Sequence, residues 1–146
     1  MGFEAEYTAI FDDIESTLKA LYPVVKQVIY KKESRGIIRE LPCVFINPGR
    51  WSMEPTDSLN AGSTDNFALD LRGELVVLIR EGDSEKLFEE IMKPLGAIVD
   101  AIFADPTLGG TCLVAWSHEG SPGEVNFLNK LYSGGLIGIR AIKEYS

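Results

Sequence analysis

The sequence has few of the residues from which reactive sites are most often built. Its 146 residues include two cysteines, Cys43 and Cys112, and one histidine, His118. The cysteines lie far apart, and neither belongs to a C-x-x-C pair, which excludes a disulfide scaffold and gives no zinc-ligand spacing. Both lie in apolar runs, so we expect reduced, buried thiols in a cytosolic compartment, with no metal ion and no cofactor.

Phosphate-binding and hydrolase motifs are also missing. The chain has no G-x-x-x-x-G-K-[ST] loop, no G-x-G-x-x-G turn before a helix and no serine in a G-x-S-x-G elbow. The acidic pairs Asp12–Asp13 and Glu89–Glu90 fall on the polar faces of predicted helices, where a general acid would lack the burial it needs. We therefore predict no catalytic residues.

Basic side chains are scarce, with 14 lysines and arginines against 22 acids and a formal net charge of −8. This balance excludes a general nucleic-acid clamp but permits a wall past which DNA slides. No apolar run approaches the roughly 18 residues of a membrane span. Residues 1–23 and 51–90 are mostly acidic, whereas residues 26–50 are mostly basic. We interpret these blocks either as solvated faces or as complementary surfaces that join identical copies.

Hydropathy periodicity predicts helices and strands in the N-terminal half. Apolar residues at steps of three and four predict a helix over residues 3–21, which Pro23 stops. Runs rich in β-branched residues over 24–30 and 37–46 predict a hairpin around the turn KKESRG, with Pro42 at an edge or bulge.

Residues 47–65, with the sequence NPGRWSMEPTDSLNAGSTD, break every periodicity and predict a long loop. Loops of this length inside a compact domain are usually functional or disordered. Trp51 and Met53 either fold back on the parent domain or anchor a partner, because aromatic residues carry much interface energy. The predicted interface residues come from this loop and from the basic hairpin tip: Arg50, Trp51, Met53, Lys31, Lys32 and Arg35.

The C-terminal half predicts more strand than helix. Residues 67–80 alternate as a strand with one wet face, and residues 87–103 have helical spacing, with a kink or break expected at Pro94. Three further strands are predicted, over 111–118, 125–132 and 136–145. The order α-β-β-(loop)-β-α-β-β-β predicts a single α+β domain over 1–146, a mostly antiparallel sheet with two main helices on one face.

Three segments resemble a known family in their content and order. The first is the N-terminal helix and charged hairpin followed by LPCVFI at 41–46. The second is the alternating strand 69–80, which runs through EGD into a helix. The third, ADPTLGG at 104–110, closes that helix. Together these segments cover most of the chain and resemble the tail terminator (tail completion) proteins of long-tailed bacteriophages and the minor tail proteins related to them.

The resemblance implies an α+β domain that forms a homohexameric ring and has no catalytic residues. Such a ring caps the growing tail tube, stops its polymerisation and joins it to the head connector, while DNA only passes through the hole. The implied partners are the chain itself, the tail tube protein and the head–tail connector protein, with no membrane. The implied location is the head-proximal end of the virion tail, after synthesis in the host bacterial cytoplasm.

Two other functions stay open at this point. One is a small cytosolic ligand-binding or regulatory α+β module, which would need an apolar pocket with a few convergent polar groups. The other is an enzyme that uses His118 with a nearby acid.

Overall fold

The α+β fold predicted from the sequence is confirmed by a computed structural model of the chain, which describes residues 2–30, 37–55, 67–82 and 88–145. Within these ranges, no helix is long and apolar enough to cross a membrane. In chain order the elements are α1 (Phe3–Lys19), β1 (Gln27–Ile29), β2 (Cys43–Pro55), β3 (Phe67–Glu81), α2 (Phe88–Ala104), β4 (Val114–Phe127) and β5 (Lys130–Tyr145).

The five strands form one sheet in the order β1-β2-β3-β5-β4. All neighbours pair antiparallel except β1 and β2, which are parallel, with Gln27 opposite Cys43. The long strand β3 lies at the centre, between β2 and β5. The two edges of the sheet are therefore the short β1 and the 14-residue β4.

The predicted N-terminal hairpin is wrong, because β1 and β2 run in the same direction. The side chain of Gln27 holds the returning chain: its Nε2 donates to the carbonyl of Ile37 at 2.9 Å, and its Oε1 accepts from the backbone N–H groups of Arg39 and Glu40. One side chain thus satisfies three backbone groups of the returning chain. The chain then passes Pro42 and enters β2 parallel to β1.

The predicted loop is wrong over residues 47–55, which continue β2. This part pairs with β3, with Met53 opposite Leu69, after a bulge between Pro48 and Trp51. The bulge breaks the alternation of side chains, which explains why the sequence pattern there indicates no strand. Residues 56–65 of the predicted loop lie outside the described residues.

The C-terminal third holds two long strands rather than the three short ones predicted. The chain turns at Leu128 and Asn129, whose φ angles of 51° and 64° are both positive, as a type I′ hairpin turn requires. The predicted turns at 119–123 and 133–135 lie inside β4 and β5. Two of their glycines allow close packing of the strands: a Cβ at Gly134 would overlap the carbonyl oxygen of Val77, and one at Gly135 would lie 2.8 Å from the carbonyl oxygen of Ser121.

Helix α2 continues through Pro94, so of the predicted kink or break, the break is absent. The hydrogen bond that Pro94 forfeits would have gone to the carbonyl of Glu90. Glu90 is exposed, and water can satisfy that carbonyl.

Both helices pack on one face of the sheet, as predicted, and the main core lies between them and the strands. Its most deeply buried members include Ile10, Phe11, Ile14, Leu18, Leu69, Leu71, Leu75, Ile98 and Ile102. A smaller apolar cluster, here called the outer cluster, forms at one end of the opposite face. Its buried members are Ile29, Cys43, Phe45, Val76, Leu78 and Tyr132.

Candidate functional site

The bulge in β2 fixes the position of two predicted interface residues, Arg50 and Trp51. At its centre, Gly49 lies so close to β3 that a Cβ there would come within 2.6 Å of the carbonyl oxygen of Arg72. Only glycine allows this approach without a backbone shift. Bulges commonly re-aim side chains at functional places, and this one presents Arg50 and Trp51 at the surface.

Helix α1 braces the bulge from the core side. The hydroxyl of Tyr7 donates to the carbonyl of Gly49 at 2.7 Å, and the ring of Phe3 packs against Trp51 with centroids 4.7 Å apart. Trp51 is nevertheless 53% exposed. A large aromatic side chain is thus held in place on one side and open to solvent on the other.

Beside Trp51 lies a cavity of about 290 Å³, here called the arginine cleft. It is lined by Arg50, Trp51, Ser52, Asp70 and Arg72. Its residues come from two neighbouring strands, because Ser52 of β2 lies opposite Asp70 of β3.

The carboxylate of Asp70 is engaged by Arg140 of β5. Nε of Arg140 donates to the two carboxylate oxygens at 3.0 and 3.1 Å, and Nη2 donates as well. This hydrogen bonding, together with the positive charges of Arg140, Arg72 and Arg50, lowers the pKa of Asp70. Arg140 also lies over the ring of Trp116, 5.4 Å from its centroid, a cation–π geometry.

Arg50 and Arg72 act on Asp70 through their charge, but the salt bridge of Asp70 is made by Arg140. Arg50 and Arg72 form no ion pair with any carboxylate of the described residues. They lie beside an exposed tryptophan in a chain whose net charge is −8. Tryptophan and arginine are the residue types most enriched among the energetically dominant positions of protein interfaces.

A second surface lies between α2 and β4, and we call it the α2–β4 groove. It consists of two adjoining cavities of about 280 and 300 Å³, which share Val99. Apolar side chains that line it include Met92, Val99, Phe103, Pro122 and Val114. Phe103 is 83% exposed, far more than expected for a helix residue in a core stripe.

The turn after α2 connects the two elements that form this groove. Leu108, Gly109 and Gly110 all have positive φ, and the N–H of Gly109 donates to the carboxylate of Asp105 at 3.0 Å. The turn delivers the chain directly into β4, so Phe103 and Val114 line the same cavity. The segment ADPTLGG therefore shapes the α2–β4 groove.

The six predicted interface residues fall in three places. Arg50 and Trp51 meet at the arginine cleft. Met53 lies apart from it, packed against the main core opposite Leu69, so its interface role stays a prediction. The basic hairpin residues Lys31, Lys32 and Arg35 lie outside the described residues.

Sequence reasoning missed the α2–β4 groove and the partners in the arginine cleft. Val99 and Phe103 belong to the apolar pattern that predicted a helix over 87–103, but both are exposed. The signal was available, because the adjacent pairs Ile98-Val99 and Ile102-Phe103 make the apolar stripe wider than one buried face. Asp70 and Arg72 could have been found as well, because both lie on the polar, solvent-facing side of the predicted strand over 67–80.

The remaining titratable candidates lie outside these two surfaces. Nδ1 of His118 lies 3.9 Å from Oε1 of Glu119, on an exposed part of β4. Burial raises the pKa of the Cys43 thiol to about 12 and that of the Cys112 thiol to about 11. Across the described ranges, His, Cys, Asp and Glu form no cluster that could hold a metal ion.

No protein-family model matches the chain, and no curated protein matches it significantly. The two surfaces described above differ in their chemistry. One surface offers an anchored aromatic ring beside two guanidinium groups that form no salt bridge within the described part of the chain, and the other offers an apolar groove.

Proposed function

We propose that this chain is a virion structural protein, a ring-forming tail terminator that caps the tail tube of a long-tailed phage and joins it to the head connector. The single observation that carries the proposal is the α2–β4 groove at the edge of the sheet. There, exposed apolar side chains of α2 lie beside a 14-residue strand that pairs, among the described residues, only with β5.

Such an edge is a site for association. Exposed strand edges next to apolar surface invite another chain, and natural proteins cover or blunt them. Pro122 on β4 removes one donor, and no strand of the described residues pairs with the outer side of β4. A structural protein that works only in an assembly can leave this surface to be covered by a neighbour.

The charge of the chain supports a ring with a central hole. A net charge of −8 is repeated in every copy, and an acidic wall repels phosphate groups. DNA could then slide through the hole without binding to it. We expect the ring to be hexameric, with the tail tube protein on one face and the connector protein on the other.

Electron microscopy of the purified protein, alone and mixed with tail tubes of its own phage, tests this proposal. The expected result is a ring on one end of each tube and tubes that stop elongating. A matched mixture without the protein gives the uncapped control. Tubes that elongate unchanged and carry no added density at either end would overturn the proposal.

The α2–β4 groove also favours a second candidate, a small ligand-binding or regulatory module, because its cavities are mostly apolar. Thermal unfolding in the presence of a library of apolar small molecules distinguishes the two, since a ligand that binds the folded state raises the unfolding temperature. Specific stabilisation by one chemical class, combined with uncapped tubes, would favour the module over the tail terminator.

A further inference from the structure

We propose that copies of this chain join through one repeated contact, in which Trp51 and Arg50 of one copy enter the α2–β4 groove of the next. The proposal rests on the proposed function, because it supplies the contact from which the ring is built. The occupant of the groove is thus a second copy of this chain.

The positions of the two surfaces in the sheet make this contact a head-to-tail one. Within the described ranges, strand β1 pairs only with residues Cys43, Val44 and Phe45 of β2. The part of β2 that carries Arg50 and Trp51 therefore has β3 as its only partner strand among the described residues. The α2–β4 groove lies at the opposite edge, along β4. The surface at one edge of a copy can therefore contact only the surface at the opposite edge of the next copy. Such a heterologous contact builds a closed ring when the rotation between successive copies adds up to a full turn.

The shapes of the two surfaces agree with this contact. The cavity nearest the middle of α2 has a volume of about 280 Å³ and is lined by Met92, Gly96 and Val99. A cavity of about 150 Å³ already holds a benzene molecule, so an indole ring has room here. Sulfur–aromatic contacts with Met92 would favour it. Because Phe3 already holds Trp51 in place, docking loses little rotamer freedom.

The charges of the two surfaces are complementary. Asp100 lines the same cavity as Met92 and Val99, and it forms no ion pair with a described side chain. Arg50, adjacent to Trp51, equally lacks such a partner. Docking Trp51 brings Arg50 to the rim where Asp100 lies, and Arg72 adds positive potential that steers the encounter.

Gly96 provides the sharpest variant. A Cβ at this position meets nothing within 4 Å, so a larger side chain projects into the groove without disturbing the fold. Gly96→Leu should therefore block docking while leaving the unfolding temperature unchanged or higher, since leucine favours helix over glycine. Gly96→Ala, which leaves most of the groove open, is the matched control.

Trp51→Ala removes the other half of the contact. We expect both Trp51→Ala and Gly96→Leu to weaken self-association at least tenfold by sedimentation analysis and to leave tail tubes uncapped. Tyr22→Ala, at an aromatic residue that is 65% exposed elsewhere, should associate like the wild type. If both contact variants associate and cap tubes like the wild type, the contact is wrong.

Mixing the two contact variants tests its head-to-tail nature. The Trp51→Ala copy keeps its groove, and the Gly96→Leu copy keeps its tryptophan, so one contact remains possible between them. The expected product is a 1:1 pair that grows no further. Charge exchange gives a second test: Arg50→Asp and Asp100→Arg should each weaken association about tenfold, and the double variant should recover it. No pair in the mixture and no recovery in the double variant would overturn the proposal.

These outcomes separate the contact from the proposed function. Wild-type rings that cap tubes, with variants that do so equally well, refute the contact and leave the tail-terminator function standing. Head-to-tail pairs in the mixture, with wild-type protein that never caps a tube, support the contact and refute the function.

Discussion

The ring of Phe45 on β2 packs against the ring of Phe127 on β4, with centroids 4.1 Å apart, although β3 and β5 lie between these strands. In a flat sheet, three strand spacings would separate β2 and β4 by about 14 Å. The sheet therefore curls toward its outer face at this end. Both rings belong to or pack against the outer cluster, which also contains Val76, Leu78 and Tyr132.

Removing one ring of this pair should destabilise the folded protein, because the pair holds the curved end of the sheet together. Phe45 is only 7% exposed, and truncating a buried phenylalanine costs about 3–5 kcal/mol. Phe45→Ala should therefore lower the free energy of unfolding by about 3 kcal/mol in a denaturant titration. Leu128→Ala, at an exposed turn residue, is the control and should change it by less than about 0.5 kcal/mol. Equal stability of the two variants would contradict the packing described.

The Asp70–Arg140 pair predicts a pH dependence of stability. Because Arg140 lowers the pKa of Asp70 in the folded protein, the pair stabilises the fold above the unfolded pKa of about 3.9. That contribution is lost as the pH falls through the folded pKa. Asp70→Asn should therefore be less stable than the wild type at pH 7, with the difference shrinking at pH 3. A difference that grows on acidification would show that the pair is not stabilising.

The two buried thiols should be unreactive in the folded protein. Burial raises the pKa values of Cys43 and Cys112 to about 12 and about 11, so little thiolate is present at pH 8. Reaction with a chromogenic disulfide reagent should be slower than for an exposed thiol by about two orders of magnitude. Unfolding in guanidinium should release two reactive thiols. Fast reaction of either cysteine before unfolding would mean that its strand opens readily.

Gly134 should tolerate no side chain. A Cβ at this buried position would overlap the carbonyl oxygen of Val77 on the neighbouring strand, and neither backbone can move independently of the ladder. Gly134→Ala should lower the free energy of unfolding by about 3 kcal/mol or prevent soluble expression. The control is Gly120→Ala, whose added Cβ would meet its nearest atom at 3.4 Å. The unfolding temperatures of the two variants are compared. If both variants unfold at similar temperatures, β3 and β5 must lie farther apart at Gly134 than described.

His118 tests the remaining enzymatic alternative. Its imidazole lies on β4 beside the exposed carboxylate of Glu119 and is itself 26% exposed. If the chain acts by assembly, His118→Ala should fold, associate and cap tail tubes like the wild type. Loss of function in a variant with a normal unfolding temperature would revive an enzyme built on this histidine.

Local patterns predicted the elements whose contacts repeat regularly. The stripe from Phe3 to Leu18 predicted α1, and the alternation from Leu69 to Ile79 predicted β3, because side-chain burial follows the helical or strand period at every turn. The same reasoning placed both helices on one face. It also selected Arg50 and Trp51, although as parts of a loop.

Pairing partners were not predictable in this way. The parallel β1–β2 pair depends on Gln27 binding the returning chain, and a glutamine carries no sequence signal for that contact. The turn at Leu128 and Asn129 lacks the usual Asn-Gly pair, while the glycine-rich segments that resemble turns lie within strands.

The sequence by itself determined the fold class, the two helices, the central strand and the acidic, cysteine-poor character of the chain, because these follow from composition and from periods of two to four residues. Only the tertiary structure decided that Arg72 and Asp70 lie beside Arg50, and that α2 and β4 leave an apolar groove at the sheet edge. These features join residues far apart in sequence through strand order, a bulge and a tight turn. They depend on which segments pair with each other, and the hydropathy period within one segment carries no information about its partner.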